Sequence, residues 1–364
     1  MTGFGIWCEG NDLVNKTPVP YDIHFNLWLD YCNKKSNPMF DIGIKINYVP
    51  SLHRICIYLP YSININDVKD LGKIIVSDKK ILDSIFNESY TAQELQESKK
   101  YSIKDKTEVE KFIIYTLDSR ETSDLSIDHC LDGTVVAINL KDRGFTNDNN
   151  YYFRLRFTGK WLNKIIERKS KNLLFDTVST ENTFIDFRLN NWRSFDNPSL
   201  VQRIQQKSIS QYCIEKINFF LMTNGEINVY SLNPKSERKL ENKIWKDYIG
   251  EEIKNVIIAT QWQDKRKNPE DHYIESFNVY ARFKKQWCSL HQIFKYIMIF
   301  AVINILYSLL YNLLFSDSNI IIHQIRVLFF IVIAIVYFIF LKYKGDCWSN
   351  ENIIRYEHFN TERK

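Results

Sequence analysis

Glycine is scarce in this chain, at 11 of 364 residues, or about 3% against a usual share near 7%. The glycine-rich loops that cradle phosphates are missing with it. Gly5 and Gly10 have the outer spacing of a phosphate-binding loop, but Asn11 and Asp12 stand where Lys and Ser or Thr are required. Gly3 and Gly5 open a dinucleotide pattern that fails at Cys8. There is no H-E-x-x-H, no paired Cys/His metal spacing and no G-x-S-x-G. His129 and Cys130 are chain neighbours, which point apart, whereas Cys–His catalysis needs contact in space. The sequence therefore reads as non-enzymatic, with no metal or cofactor. Its seven cysteines (Cys8, Cys32, Cys56, Cys130, Cys213, Cys288 and Cys347) are odd in number and form no C-x-x-C pair, as expected of reduced thiols. The N-terminus, MTGFGIWCEGND, lacks a basic region followed by an apolar run, so no signal peptide is expected.

Charge is ordinary on average, at 25% of residues and +5 net. Its distribution is not. From Tyr296 to Phe315 no residue is charged, and about 20 apolar residues suffice to cross a hydrocarbon core. After Ser316–Asn319 a second apolar stretch runs from Ile320 to Leu341. The pair reads as a transmembrane hairpin within 286–345, with spans 296–315 and 320–341 and a tail of 346–364. Arg282, Lys284, Lys285 and Lys295 precede it and Lys342, Lys344 and Arg355 follow it, while the turn holds only Asp317. The positive-inside rule then places both termini in the cytoplasm of a two-span inner-membrane protein, in contact with membrane lipids. Asn304, Ser308 and Asn312 share one helix face. They read either as hydrogen-bonding glue within the hairpin or as an oligomer seam or pore lining. His323 and Arg326 join this group, Arg326 either snorkelling to the headgroups or facing a polar axis.

Residues 1–285 read as an α+β domain dominated by antiparallel sheet. Ile42, Ile44, Ile46 and Tyr48 alternate with Asp41, Lys45 and Asn47, and Arg54–Tyr61 follows as a hairpin partner. Further strands are expected at 112–117, 134–140, 151–157 and 183–189. Asn224-Gly225 between two apolar runs predicts a two-residue hairpin turn, and 254–262 with 273–283 a last hairpin. Helices are expected over 77–86, 159–171 and 236–248. The polar stretch 88–106 is the candidate internal boundary.

One constellation carries chemistry. Between Tyr151 and Lys171 seven residues are basic and only Glu167 is acidic. Arg154 and Arg156 share one side of a strand, and Thr158-Gly159 leads into a helix presenting Lys160, Lys164 and Arg168. A helix N-terminus after a glycine turn, flanked by arginines, suits a phosphate-bearing ligand such as a nucleotide or short oligonucleotide. The alternative is the solvated basic face of an amphipathic helix. Residues 286–364 hold seven basic and five acidic residues, which leaves +3 of the +5 for residues 1–285. That excess is too small for a general duplex-DNA surface.

A sensing domain joined to a two-helix membrane module, without a catalytic motif, resembles the bacterial anti-phage defence effectors of the CBASS and Hailong systems. The resemblance implies a homo-oligomer whose soluble domain senses a nucleotide signal and whose helices permeabilise or depolarise the inner membrane. The other expectation is a non-conducting, membrane-tethered module that recruits a cytosolic partner.

Overall fold

Strands in which apolar and polar residues alternate have one face to bury, and here most of them bury both. The computed structural model describes residues 3–315 except 12–16, 30–36, 48, 97–98, 119–120, 142, 172–178, 196–197, 226–228, 232–233, 254–255 and 288–289. Through the first half of the chain these are β1 (Gly3–Gly10), β2 (Val19–Trp28), β3 (Met39–Ile46), β4 (Leu52–Leu59), β5 (Val68–Asp70), α1 (Gly72–Ser77), α2 (Lys79–Phe86), β6 (Thr91–Glu94), β7 (Lys100–Lys104), β8 (Glu110–Tyr115), β9 (Leu125–Cys130), β10 (Gly133–Asn139) and β11 (Tyr151–Phe157). The second half adds β12 (Ile166–Lys171), β13 (Ser179–Leu189), α3 (Pro198–Lys207), β14 (Tyr212–Asn224), β15 (Val229–Ser231), β16 (Ser236–Lys239), α4 (Asn242–Ile249), β17 (Ile257–Lys265), β18 (Phe277–Trp287) and α5 (Leu290–Phe315).

The strands form two large sheets. One runs in the order β15-β18-β13-β1-β4-β10-β9, the other β16-β17-β14-β2-β3-β11-β8-β7-β6, with β5 beside β11. Pairing is mainly antiparallel, but β1–β13, β2–β14 and β8–β11 are parallel. The chain divides into two units by contact, one of residues 1–167, 184–225 and 229–282, the other of 168–183, 226–228 and 283–364. The first unit is a sandwich. Phe4 and Phe187 of one sheet meet Phe25, Phe40 and Phe219 of the other, with ring centroids 4.9–5.8 Å apart. These buried aromatics have the tilted or stacked arrangements that add to simple area burial.

Each sheet also covers part of its outer face. Leu200 and Ile204 of α3 pack on Trp7, Cys56, Tyr58, Val135 and Ala137 of the first sheet. Beside them Glu9 accepts from Arg54 at 2.6 Å and from Arg203 of α3 at 3.3 Å, and Arg203 reaches Asp128 at 3.0 Å. On the second sheet α1, α2 and α4 cover a core built on Trp28, Phe112, Tyr152 and Met222 with Ile75, Ile81, Leu82, Trp245 and Tyr248.

The expected architecture is corrected in three respects. The domain is mostly β, with two large sheets, rather than α+β. Each of the three expected hairpins is instead a crossing between sheets. β3 pairs with β2 and β11 while β4 pairs with β1 and β10. β14 runs antiparallel to β17, and Gly225 N–H donates to the Val256 carbonyl at 2.6 Å, while β15 joins the other sheet. β17 and β18 likewise separate. The expected helix over 159–171 is a short 3-10 turn, Lys160–Lys164, followed by β12, and the one over 236–248 begins only at Asn242, because Ser236–Lys239 pairs with β17.

Third, among the described residues no helix is long and apolar enough to cross a membrane. The expected span 296–315 falls in α5, whose side chains are described without a break only from Tyr296 to Leu309. The transmembrane hairpin is therefore not supported. Neither are the two-span inner-membrane topology with cytoplasmic termini, the pore and the membrane-permeabilising function built on it. The second expected span, 320–341, with His323, Arg326 and the tail 346–364, lies outside the described residues.

The packing of α3 yields a stability ordering. Leu200→Ala opens a cavity beneath the helix and should cost about 2–4 kcal/mol. Arg203→Met leaves Glu9 its Arg54 partner and removes only half-exposed ion pairs, about 1 kcal/mol or less. Urea unfolding of the two variants checks the order, and a larger loss for Arg203→Met would reverse the assignment of what holds α3.

Candidate functional site

Strand register places polar residues of β2, β3 and β11 in rows on the face that α4 covers. One row is Asn26, Asp41 and Arg156; the next is His24, Gly43 and Arg154. Along β11 the residues that alternate with the arginines, Phe153, Leu155 and Phe157, face the sandwich interior and are buried. The polar row is buried too. Arg154 is 1% exposed, Arg156 4% and Asp41 0%, so these charges must satisfy one another.

Asp41 is the hub. Arg156 grips it with two bonds, Nε to Oδ1 at 2.7 Å and Nη2 to Oδ2 at 3.0 Å. Trp28 Nε1 and the Tyr248 hydroxyl donate to Oδ2 at 3.0 and 2.8 Å. Burial alone would raise this carboxyl, but the charge and hydrogen bonds of Arg156, then Arg154 and the Tyr248 hydroxyl, hold it below the usual carboxylate range. Burial pushes the Tyr248 and Tyr152 phenols up, which keeps both neutral.

Arg154 sits beside this hub without a carboxylate of its own, its nearest contact with Asp41 being 3.9 Å. Its Nε donates to the Tyr248 hydroxyl and its Nη1 to the Tyr152 hydroxyl, each at 2.8 Å. Its Nη2 meets Asn26 Oδ1 at 2.5 Å, with the Asn26 amide turned so that its nitrogen donates to the Phe25 carbonyl. A guanidinium has five N–H donors, so one hydrogen on each terminal nitrogen is uncommitted. The cluster thus sets two buried cations against one buried anion.

Arg154 also lines a small crevice of about 20 Å³, room for about one water molecule, between the sheet and α2, β16 and α4. Its floor carries His24 and Asn26 beside Phe220, Met222 and Ala259, and its walls are Ser84, Ile85, Arg238, Leu240 and Trp245. Gly43 makes room at the floor: a Cβ there would approach Tyr152 Cζ to 2.9 Å. Trp245 is 3% exposed, and its Nε1 has no hydrogen-bond partner. His24 is half-buried against the Tyr152 ring at 6.0 Å. Burial, then the charges of Arg154, Lys216 and Lys45, pushes its imidazole down to about 3, so it is neutral at pH 7. Arg238 stands exposed at the rim, with bonds of 3.3 and 3.4 Å to Asn87 and the Ser84 carbonyl. No carboxylate lines the crevice. Its charged groups are the two arginines, which suits an anion; among the described residues no group of three or more His, Cys, Asp and Glu could hold a metal ion.

The basic constellation expected from the sequence is thus divided. Arg154 and Arg156 share one side of their strand, but under α4 and not in solvent. Lys160 is exposed, and Lys164 lies over the Tyr61 ring at 5.8 Å. Among the described contacts none links these lysines to the arginines. Arg168 belongs to β12, and its side chain lies outside what is described. On α5, Asn304 is exposed and Ser308 half-buried, while the Asn312 side chain is not described. Asp41, Tyr152, Tyr248, His24 and Trp245 were not among the expected site residues. For Asp41 and the arginines a signal existed: the polar faces of two alternating strands carry opposite charge. For α4 there was none, since it lies some ninety positions along the chain, too far for any local pattern to connect.

No protein-family model matches the chain, and no curated protein matches it.

The hub makes a prediction about stability. Asp41→Asn preserves shape but leaves two buried guanidinium groups without an anion, at about 3–5 kcal/mol. A compensating Arg156→Met should recover part of that loss, and thermal unfolding of both variants checks it. The acid limb follows from the same groups. The His24 imidazole is held down from 6.5 to about 3, so its contribution is intact above pH 6.5 and is lost as pH falls towards 3. The depressed Asp41 carboxyl adds a loss below about pH 4. His24→Asn should therefore flatten the decline in melting temperature between pH 6.5 and 4 and leave the steeper fall below it.

Proposed function

We propose that the first unit is a ligand-binding domain whose crevice over Arg154 takes a small anion. The observation that carries this reading is the charge imbalance: Arg154 and Arg156 are both buried, and Asp41 is the one carboxylate they share. Burying an uncompensated charge is costly, and the surplus faces the crevice. Trp245 Nε1 adds a buried donor with no partner, which an anion in the crevice would satisfy. Arg238 at the rim supplies attraction on approach more than affinity once bound. Anion binding uses the surplus charge of this lining, whereas proton-transfer chemistry would leave it without a carboxylate base.

Titration calorimetry of the full chain with formate, chloride and sulfate tests the reading. At least one anion is expected to bind and to raise the melting temperature. Trp245→Phe, which keeps the apolar packing and deletes one donor to a charged group, should weaken that binding about tenfold. Arg238→Ala should reduce the association rate and its salt dependence with a smaller effect on dissociation. Absence of binding by all three anions at millimolar concentration would refute the proposal.

A further inference from the structure

We infer that the chain pairs with a second copy of itself through one stripe of α5, the two helices lying parallel and in register, a property independent of the crevice over Arg154.

From Tyr296 to Phe315 α5 carries no charged residue. Ile297, Phe300, Asn304, Tyr307 and Tyr311 follow one another at intervals of three and four. These are the first and fourth positions of a seven-residue repeat, so the five line one side of the helix. All of them are open: Ile297 is 56% exposed, Phe300 65%, Tyr307 69% and Tyr311 55%, and Asn304 is exposed as well. On the adjoining side Met298, Ala301, Ile305 and Ser308 are half-buried. The Tyr307 and Tyr311 rings stack with centroids 6.4 Å apart and planes 27° from parallel, which makes a flat aromatic surface within the stripe. A contiguous apolar stripe left open on a folded chain marks an interaction site.

The residues of the stripe also select its occupant. Without a charge, it offers nothing to a partner recognised by charge. Asn304 sits in its middle, and covering an amide that finds no hydrogen bond is costly. The occupant must therefore be apolar along its length and bring a polar group at the level of Asn304. A second copy does both. In a parallel, in-register pair each position meets its own counterpart across the two-fold axis, so the two Asn304 amides face each other and exchange hydrogen bonds. Sliding one helix by a full repeat sets each amide against Ile297 or Tyr311 instead. A single Asn at this position of the repeat is the device that fixes register and strand number in paired helices. Size agrees. An aromatic side chain brings about 150–250 Å² when fully covered, and those of the stripe stand more than half open. With Phe294 and Ile303 on its flanks the stripe then offers roughly 600 Å² per copy, or about 1,200 Å² in a pair, where stable interfaces begin.

Sedimentation velocity of the full chain at micromolar concentration should show a species of twice the 43.5 kDa chain mass. Phe300→Glu with Tyr307→Glu should weaken the association at least about a hundredfold. A disulfide needs its two Cα atoms within about 7 Å. Under a mild oxidant Asn304→Cys should therefore give a covalent dimer severalfold faster than Val302→Cys, which lies off the stripe, each read above the background of the seven native cysteines. A monomer at micromolar concentration, the result expected if residues 316–364 of the same chain cover the stripe, would overturn the pairing. So would a dimer that Phe300→Glu with Tyr307→Glu leaves intact, since it would form elsewhere. Cross-linking of Asn304→Cys no faster than that of Val302→Cys would overturn the parallel register.

Discussion

The carboxylate of Asp41 is the point at which three strands and a helix are held together. It takes two bonds from Arg156 of β11, one from Trp28 of β2 and one from Tyr248 of α4, and it stands on β3 itself. A backbone ladder already joins the strands, but nothing in a ladder attaches a helix to the outer face of a sheet. Apolar packing of Trp245 and Tyr248 on Trp28 does so without direction, whereas the Asp41 bonds fix where along the sheet α4 comes to rest. The Arg156 bond to the Tyr248 carbonyl, at 3.0 Å, ties down the helix backbone as well. The crevice depends on this placement, because Trp245, one helical turn before Tyr248, forms its wall.

The two outer faces of the sandwich use charge differently, and the contrast isolates what is unusual about one of them. On the first sheet Glu9 and Asp128 meet Arg54 and Arg203, two anions for two cations, with apolar packing of α3 alongside. That arrangement closes on itself and asks for nothing further. On the second sheet two guanidinium groups share one carboxylate in a more deeply buried setting. Hydroxyls of Tyr152 and Tyr248 and the Asn26 amide spread the Arg154 charge, but neutral acceptors do not cancel it. A fold selected for stability alone would gain by replacing Arg154 with an apolar residue beneath α4. Arg154 stands instead beside an open crevice and an unpartnered indole N–H, the setting on which the proposed anion site rests.

Much of this was legible locally, and the failures share a cause. The alternation in Asp41–Ile46 and Tyr151–Phe157 marked both strands and both faces correctly, because a period of two follows from strand geometry alone. It also put the polar sides of Asp41 and Arg156 on record, although not their direct opposition, which needs register. Asn224-Gly225 shows where local reading stops. The dipeptide is a strong turn signal, yet β14 finds its antiparallel partner in β17, because the apolar inner faces of both sheets must be filled at once. The helix expected after Gly159 failed for a similar reason: basic residues at helical spacing are compatible with a 3-10 turn and a strand when the surrounding sheet offers an edge.

The charged side chains were the hardest to place, and the reason bears on the function. Arginine on an alternating strand is ordinarily assigned to solvent, since burying it requires partners that no window of sequence displays. Here the partners come from Asp41, more than a hundred positions earlier, and Tyr248, more than ninety later. The same distances that hid the network also make it a selective site. Six of its groups lie on four different elements, so the crevice exists only once both the sheet and α4 are in place. Gly43 shows how closely the space is specified: between His24 and Arg154 in the register it alone has no side chain, and the Tyr152 ring occupies the room this leaves. A larger residue there would push Tyr152 off Arg154 and release a third N–H of that guanidinium. The geometry around Arg154 is therefore set as much by this missing side chain as by the arginine itself.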